Sequence, residues 1–143
     1  MAERISQFRG EYRFLSNFHP SRVMYGGLVY PTVENAYQAA KCVDRDAQAH
    51  FQNIGPAAAK AAGNKVNLRP DWEDVKLQIM EDLLRKKFVP DTDLAGKLLD
   101  TNESELIEEN WWQDHFWGIC NGVGHNHLGR LLMKIREELR QKK

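Results

Sequence analysis

Glu34, Gln38 and Lys41 follow Pro31-Thr32 at intervals of four and three positions. In a helix this spacing places all three on one face across two turns, so that a carboxylate, an amide and an amine project together. Glu34 and Lys41 are then separated by roughly 10 Å of axial rise, which suits flanking a sugar-sized ligand better than a direct ion pair. The alternative is that both residues only complement the helix dipole.

A second chemically rich stretch covers residues 111–129. It holds three of the four tryptophans, three histidines, four glycines, Cys120 and the carboxylate of Asp114. Desolvation among aromatic rings can alter the pKa of a carboxylate, and aromatic faces stack on bases or stabilise cationic character at a sugar carbon. These are requirements of nucleoside chemistry. The alternatives are a turn-capping role for Asp114 and core packing for the tryptophans.

The glycines of this stretch match no common phosphate loop. Residues 122–127 fail the GxGxxG pattern because His127 occupies the third glycine position, and no GKS or GKT follows. A glycine loop that leads into a helix can still present free N–H groups to a phosphate, or the glycines can simply serve turns. Cys120, His125 and His127 lack a second well-spaced pair, so we expect no metal and no cofactor.

The composition predicts one domain spanning residues 1–143, with one site. Lys+Arg and Asp+Glu stand at 20 each, so no global positive field favours nonspecific nucleic-acid binding. Two cysteines outside any CxxC arrangement indicate a reducing compartment. The beginning of the chain lacks an apolar signal region, and no apolar run is long enough to span a bilayer, so we expect a cytoplasmic protein.

The predicted fold is mainly α, a single compact helical domain with a small N-terminal β-hairpin or sheet. Strand-type residues run from Ile5 to Tyr30, with Gly26-Gly27 as a hairpin turn. Leu106-Ile107-Glu108 reads as a brief strand or an extended segment. The first predicted helix is capped by Thr32 and has apolar residues from Val33 to Val43 on one face. A second helical region covers 44–63, with a break at Gly55-Pro56 and a stop at Gly63, and a third helix is capped by Asp71 and ended by Pro90. A short helix is predicted at 94–99, and the last one runs from Asn126 or His127 to a cationic end at Arg136, Arg140, Lys142 and Lys143.

Several short motifs, taken in order, resemble one known family. They are Phe14-Leu15-Ser16-Asn17-Phe18, the Glu34 to Lys41 helix, Leu68-Arg69-Pro70-Asp71-Trp72, Lys87-Phe88, Leu106-Ile107-Glu108, Asp114-His115-Phe116-Trp117-Gly118 and Gly124-His125-Asn126-His127-Leu128-Gly129. This set covers nearly the whole chain and resembles the NADAR family, also called YbiA-like. The chain departs from the family pattern at Asn64, where many members have an arginine, and at Cys120, which replaces the second glycine of a WGxG pattern.

The resemblance implies a mostly helical YbiA-like fold and N-glycosidase activity on ribosyl–nitrogen bonds. The implied substrates are ADP-ribose on guanine bases, in DNA, RNA or nucleotides, and phosphoribosylamino pyrimidine intermediates of riboflavin synthesis. Glu34, Lys41 and Asp114 become the catalytic candidates. The substrate-binding candidates that the resemblance implies are Asn17, Trp72, Trp117, Gly118, Asn126 and Gly129. Arg69 is added from the sequence itself as a candidate phosphate ligand, and the alternative is an ordinary exposed arginine.

Cleavage of such a bond requires stabilised positive charge at the anomeric carbon, a nucleophile and a proton for the departing nitrogen. We assign Glu34 first and Asp114 second to oxocarbenium stabilisation or water activation. Lys41 either neutralises a phosphate or protonates the leaving group, or its neutral amine attacks the opened sugar as a Schiff base. The competing hypotheses are a non-catalytic reader of ADP-ribose or a related nucleotide and, third, a metal-dependent hydrolase.

Overall fold

The computed structural model describes residues 3–142 and has the mainly helical fold with a small hairpin that the sequence predicts. Its contacts divide the chain into two units, Asn17–Lys87 and the remainder up to Ser16 and from Phe88 onward. The extent of a single domain over residues 1–143 stays a prediction. The helices are α1 Val33–Ala40, α2 Arg45–His50, α3 Pro56–Gly63, α4 Trp72–Lys87, α5 Asp93–Leu99 and α6 His127–Gln141. The strands are β1 Arg4–Ile5, β2 Val23–Tyr25, β3 Leu28–Tyr30, β4 Glu105–Leu106, β5 Glu109–Asn110 and β6 Ile119–Cys120.

The hairpin and α1 open the first unit as predicted. β2 and β3 pair antiparallel, and Gly26 and Gly27 both have positive φ, which a tight turn between twisted strands requires. Thr32 then caps α1, its hydroxyl accepting a hydrogen bond from the Asn35 N–H at 3.0 Å. Every residue of α1 is buried, so its polar face is enclosed together with its apolar face.

One detail of the end of α1 differs from prediction, whereas the bounds of α3 agree with it. Val43 was expected on the apolar face of the first helix, but it lies beyond the end of α1 and is 72% exposed. Gly63 ends α3 as predicted, and its φ is not positive. Pro56 does lie in the first turn of α3, where its missing N–H costs nothing. α3 and α4 both pack against α1.

The second unit contains short strands and two helices. β1 pairs parallel to β4, and β5 pairs parallel to β6. Gly10–Leu15, within the region of predicted strand signals, forms a 3-10 helix that buries Phe14 and Leu15. Two adjacent apolar residues fit either conformation, so short-range pattern could not separate the two. α5 packs on α6, whose apolar face buries Leu128, Leu132, Ile135 and Leu139.

Arg136, predicted as part of the cationic end of the last helix, is buried. It is only 5% exposed, and one nitrogen of its guanidinium donates to the Thr101 hydroxyl at 2.8 Å and to the Ser104 carbonyl at 2.9 Å. The side chain therefore joins α6 to the turn before β4. Among residues 3–142 no helix is long and apolar enough to cross a membrane.

Candidate active site

The Glu34 carboxylate is buried at the start of α1 and is held by the next turn of the same helix. Glu34 is 8% exposed and Gln38 is 5% exposed. The Gln38 side-chain amide donates to Glu34 Oε2 at 2.6 Å, as the four-residue spacing allows. The backbone of Glu34 is fixed as well, because its N–H donates to the Asn17 carbonyl at 3.1 Å. α1 thus presents an oriented carboxylate rather than a mobile one.

Lys41 lies at the C-terminal cap of α1, beside a pair of aromatic rings. Its Nζ is 5.9 Å from the centre of the Tyr37 ring and 6.0 Å from that of Trp72, and these two rings lie 5.1 Å apart. Nζ also donates to the Gly63 carbonyl at 3.5 Å. Burial lowers the pKa of Lys41 below that of an ordinary lysine, while the Glu34 charge raises it and the Lys76 charge lowers it further. Trp72 is 5% exposed, so the amine has an apolar wall.

Arg69 is engaged within its own turn. Its Nε and Nη2 donate to the two Asp71 oxygens at 2.6 and 3.1 Å, and Nη1 donates to the Tyr25 hydroxyl at 3.2 Å. The Asp71 hydrogen bond raises the pKa of Arg69, and the same contact lowers the pKa of Asp71. The Arg69 N–H donates to the Lys41 carbonyl at 2.8 Å. Phosphate binding by Arg69 stays a prediction. In this geometry the Asp71 carboxylate has to release the Arg69 guanidinium before a phosphate can bind it.

Asn17 supplies a buried acceptor that no described residue satisfies. Its side chain is 9% exposed, its Nδ2 lies 3.6 Å from the Met80 sulfur, and its Oδ1 accepts no hydrogen bond within residues 3–142. A buried amide oxygen without a donor costs free energy unless a ligand or water completes it. A substrate hydroxyl has the complementary chemistry.

Asp114, in the second unit, holds its own loop. Its Oδ1 accepts from the Phe116 N–H at 3.1 Å and from the Trp117 N–H at 2.9 Å. Asn110 braces its backbone from both sides, accepting from the Asp114 N–H at 3.1 Å and donating to the Asp114 carbonyl at 2.9 Å. The carboxylate occupies the turn-capping position, so its catalytic assignment stays a prediction.

The first two N–H groups of α6 are already hydrogen-bonded within the described part of the chain. The His127 N–H donates to the Phe116 carbonyl at 3.2 Å, and the Leu128 N–H donates to the Trp117 carbonyl at 3.0 Å. The loop that follows Asp114 therefore supplies the carbonyl acceptors for these N–H groups at the helix N-terminus. The glycine-loop hypothesis for phosphate binding is wrong at these two groups.

The other predicted residues of this unit have structural contacts. Asn126 adopts a positive φ of 52°, and its side chain accepts from the Glu108 N–H and donates to the Leu106 carbonyl, both at 2.9 Å. A Cβ at Gly129 would lie 2.0 Å from the Leu106 carbonyl, and one at Gly118 would lie 2.1 Å from the Glu108 carbonyl. These glycines are required for close packing. Trp117 packs edge-on against Phe116, with ring centres 4.8 Å apart.

The sequence analysis missed two residues that contact the candidate site residues. Gly63 contacts the Gln38 side chain, and Asn110 braces Asp114. Neither carries a signal in one sequence, since a glycine at a helix end and an asparagine in a short strand are both common. Among residues 3–142, no group of three or more His, Cys, Asp or Glu side chains is arranged to hold a metal ion.

Comparison with known proteins gives consistent results. Residues 5–140 match the model of the NADAR domain. The chain is 41% identical over 136 residues to an N-glycosidase of Nostoc punctiforme, covering 90% of this chain and 86% of that protein. It is 35% identical over 133 residues to N-glycosidase YbiA of Escherichia coli, covering 90% and 82% of the two chains.

Two further comparisons concern a longer relative and a solved structure. A riboflavin biosynthesis protein of Vibrio vulnificus is 37% identical over 132 residues, which cover 90% of this chain but 36% of that protein. The NMR structure of the E. coli protein YbiA superimposes with a TM-score of 0.85 at 34% identity, covering 99% of this chain and 88% of that one.

Proposed function

From the premise that this chain belongs to the NADAR family and is a hydrolase of N-glycosyl bonds, we propose that it cleaves the bond between ribose C1 and a base nitrogen, releasing ADP-ribose from guanine. The observation that carries this proposal is the buried Glu34 carboxylate, held by Gln38 one turn further along α1. A carboxylate fixed in this way can act on a developing positive charge without first reorganising.

The chemistry assigned to Glu34 follows from the bond that breaks. As the C1–N bond lengthens, its electron pair leaves with the nitrogen and positive charge develops at C1 and the ring oxygen. The Glu34 carboxylate stabilises that charge or takes a proton from the attacking water, whose oxygen bonds to C1. A proton delivered to the departing nitrogen completes the reaction. The Asn17 amide oxygen, which lacks a donor among the described residues, accepts from a ribose hydroxyl.

Lys41 supplies an amine at the C-terminal end of α1, and we call Glu34, Gln38 and Lys41 together the α1 cluster. As an ammonium it donates the proton to the leaving nitrogen or neutralises a phosphate, and as a neutral amine it attacks the opened sugar aldehyde. Burial lowers the pKa of Lys41, which lies beside Tyr37 and Trp72, and so favours the amine. Borohydride reduction during turnover should give a covalent sugar adduct at Lys41 by the amine route and none by the ammonium route.

The substrate is tested by offering both chemical classes in parallel. The protein is incubated with ADP-ribosylated guanine in DNA and with phosphoribosylamino uracil, and the products are identified by mass spectrometry. We expect release of ADP-ribose with unmodified guanine. The Vibrio relative named for riboflavin biosynthesis favours the phosphoribosylamino pyrimidine as the second candidate, which release of ribose phosphate would select.

Substitution of Glu34 tests the enzyme against a binding module. Glu34→Gln should lower kcat by about a hundredfold or more, since it removes the charge while it keeps the shape. Asp46→Asn, an equivalent change at an exposed carboxylate of α2, is the matched control and should leave kcat unchanged. Full turnover by folded Glu34→Gln contradicts the proposal. Tight binding of ADP-ribosylated guanosine by the unmodified protein, without product over hours, identifies a reader.

A further inference from the structure

The orientation of the Gln38 amide leaves one of its atoms facing α3. The Gln38 nitrogen faces the Glu34 carboxylate at 2.6 Å, and the opposite orientation would put two acceptor oxygens at that distance. Gln38 Oε1 must therefore point away from Glu34. This oxygen is buried and accepts no hydrogen bond from any residue within the described part of the chain.

Gly63, on α3, makes room for that amide. A Cβ built on Gly63 would lie 1.8 Å from Gln38 Oε1, 2.6 Å from its Cδ and 3.2 Å from its Cγ. All three nearest atoms belong to the one side chain that holds Glu34. The backbone does not itself require glycine here, because φ is not positive and Gly63 lies within a regular helix. The absence of a side chain at Gly63 is thus a matter of space.

Gly63 also meets the second functional group of α1. Its carbonyl oxygen accepts the hydrogen bond from Lys41 Nζ at 3.5 Å. One residue of α3 consequently contacts the amide that orients the carboxylate and the amine at the other end of the helix. This double contact distinguishes Gly63 from Gly96 in α5, where an added Cβ would meet nothing within 4 Å.

We infer that Gly63 is a positioning residue, which by lacking a side chain lets Gln38 pack against α3 and hold the Glu34 carboxylate for the reaction. The inference rests on the proposed function, which assigns the chemistry to Glu34. In Gly63→Ala the new methyl group displaces the Gln38 amide and Glu34 loses its donor. The Glu34 carboxylate is then less well oriented for the reaction, while substrate contacts elsewhere are unaffected.

The kinetic test is a double-mutant cycle of Gly63→Ala and Gln38→Ala with ADP-ribosylated guanine as substrate. We expect Gly63→Ala and Gln38→Ala each to lower kcat roughly tenfold to a hundredfold, the value of a hydrogen bond to a charged group, with KM within about twofold. The double variant should be no slower than Gln38→Ala alone, since both changes remove the same contact. Gly96→Ala, the control, should retain full kcat.

A readout independent of activity separates failure of this inference from failure of the proposed function. The side-chain amide protons of Gln38, identified by NMR as the pair missing in Gln38→Ala, should exchange slowly in the unmodified protein and rapidly in Gly63→Ala. Unchanged exchange in Gly63→Ala overturns the inference. Rapid exchange with an unchanged kcat also overturns it, and points away from Glu34 as the reacting group.

The design also covers a variant that does not fold. If Gly63→Ala is unfolded, the added Gln38→Ala substitution should restore folding, because the only side chain among the three nearest contacts is then truncated. An unfolded double variant overturns the inference. A kcat loss for Gly63→Ala that persists in full when Gln38 is already alanine does the same.

Discussion

Substitution of Asp114 tests whether the aromatic-rich stretch of residues 111–129 takes part in the reaction or has only a structural role. Its Oδ1 accepts from two successive backbone N–H groups, those of Phe116 and Trp117. Asparagine at this position retains an acceptor oxygen of the same reach, whereas alanine retains none. Asp114→Asn and Asp114→Ala therefore separate the acceptor from the charge.

The contacts set the size of the expected effects. Alanine leaves two donors without their acceptor, and loss of a capping oxygen of this kind costs about 1–2 kcal/mol. For a chain of this length that corresponds to a melting temperature lower by roughly 3–8 °C. Asp114→Asn should cost about 0.5–1 kcal/mol, because only the charge assistance, roughly half the strength of such a hydrogen bond, is lost. We expect kcat within about threefold of the unmodified protein for Asp114→Asn and a larger loss for Asp114→Ala.

The assay combines thermal unfolding with steady-state kinetics on ADP-ribosylated guanine. Asn110→Ala provides a second route to the same defect, since Asn110 binds both the N–H and the carbonyl of Asp114. It should reproduce the stability loss of Asp114→Ala while the carboxylate is intact. A stable Asp114→Asn with kcat reduced by about a hundredfold or more would refute this reasoning and place the carboxylate in the chemistry.

Three further predictions concern titrating groups. With Lys41 acting as the amine, kcat/KM should rise with pH through a pKa below 10.5, and Lys41→Arg should remove that rise; a fall would assign the ammonium instead. Burial lowers the pKa of Lys87 to about 7, so the unfolded chain binds a proton that the folded one does not. The free energy of unfolding should therefore rise between pH 7 and 10.5 by up to about 1.4 kcal/mol per pH unit, a slope that denaturant titrations should show to be absent in Lys87→Met. Burial raises the pKa of Tyr30 to about 12 from 10.0, so stability should fall across that interval, and Tyr30→Phe should abolish the fall.

The sequence predicted those features that depend on local chemistry. Gly26-Gly27 identified the hairpin because positive φ at both positions is rare for other residues. Thr32 identified the start of α1, and the spacing of Glu34 and Gln38 placed both side chains on one face, where they bond. Each of these inferences concerns residues within a few positions of one another, where chain geometry leaves few alternatives.

The features that escaped prediction depend on distant residues. Gly63 and Gln38 are 25 positions apart, and nothing in either local pattern indicates that one must lack a side chain for the other to fit. Arg136 was predicted only as part of a cationic helix end, yet it is buried and donates to Thr101 and Ser104. The two-residue strands β5 and β6 are too short to show a period at all.

Phosphate recognition follows from what these contacts leave available. The first N–H groups of α6 bond to the loop carbonyls, and the Arg69 guanidinium is shared between Asp71 and Tyr25. These two groups differ in how readily they can be released to bind a phosphate. Opening the N-terminus of α6 would break backbone hydrogen bonds, whereas the Arg69–Asp71 pair is a side-chain contact that is exposed to solvent at Asp71. A phosphate carries more charge than a carboxylate and can displace Asp71 from the guanidinium. Arg69 is therefore the better of the two predicted phosphate ligands, and its distance along the chain from the α1 cluster is bridged by its own N–H, which donates to the Lys41 carbonyl.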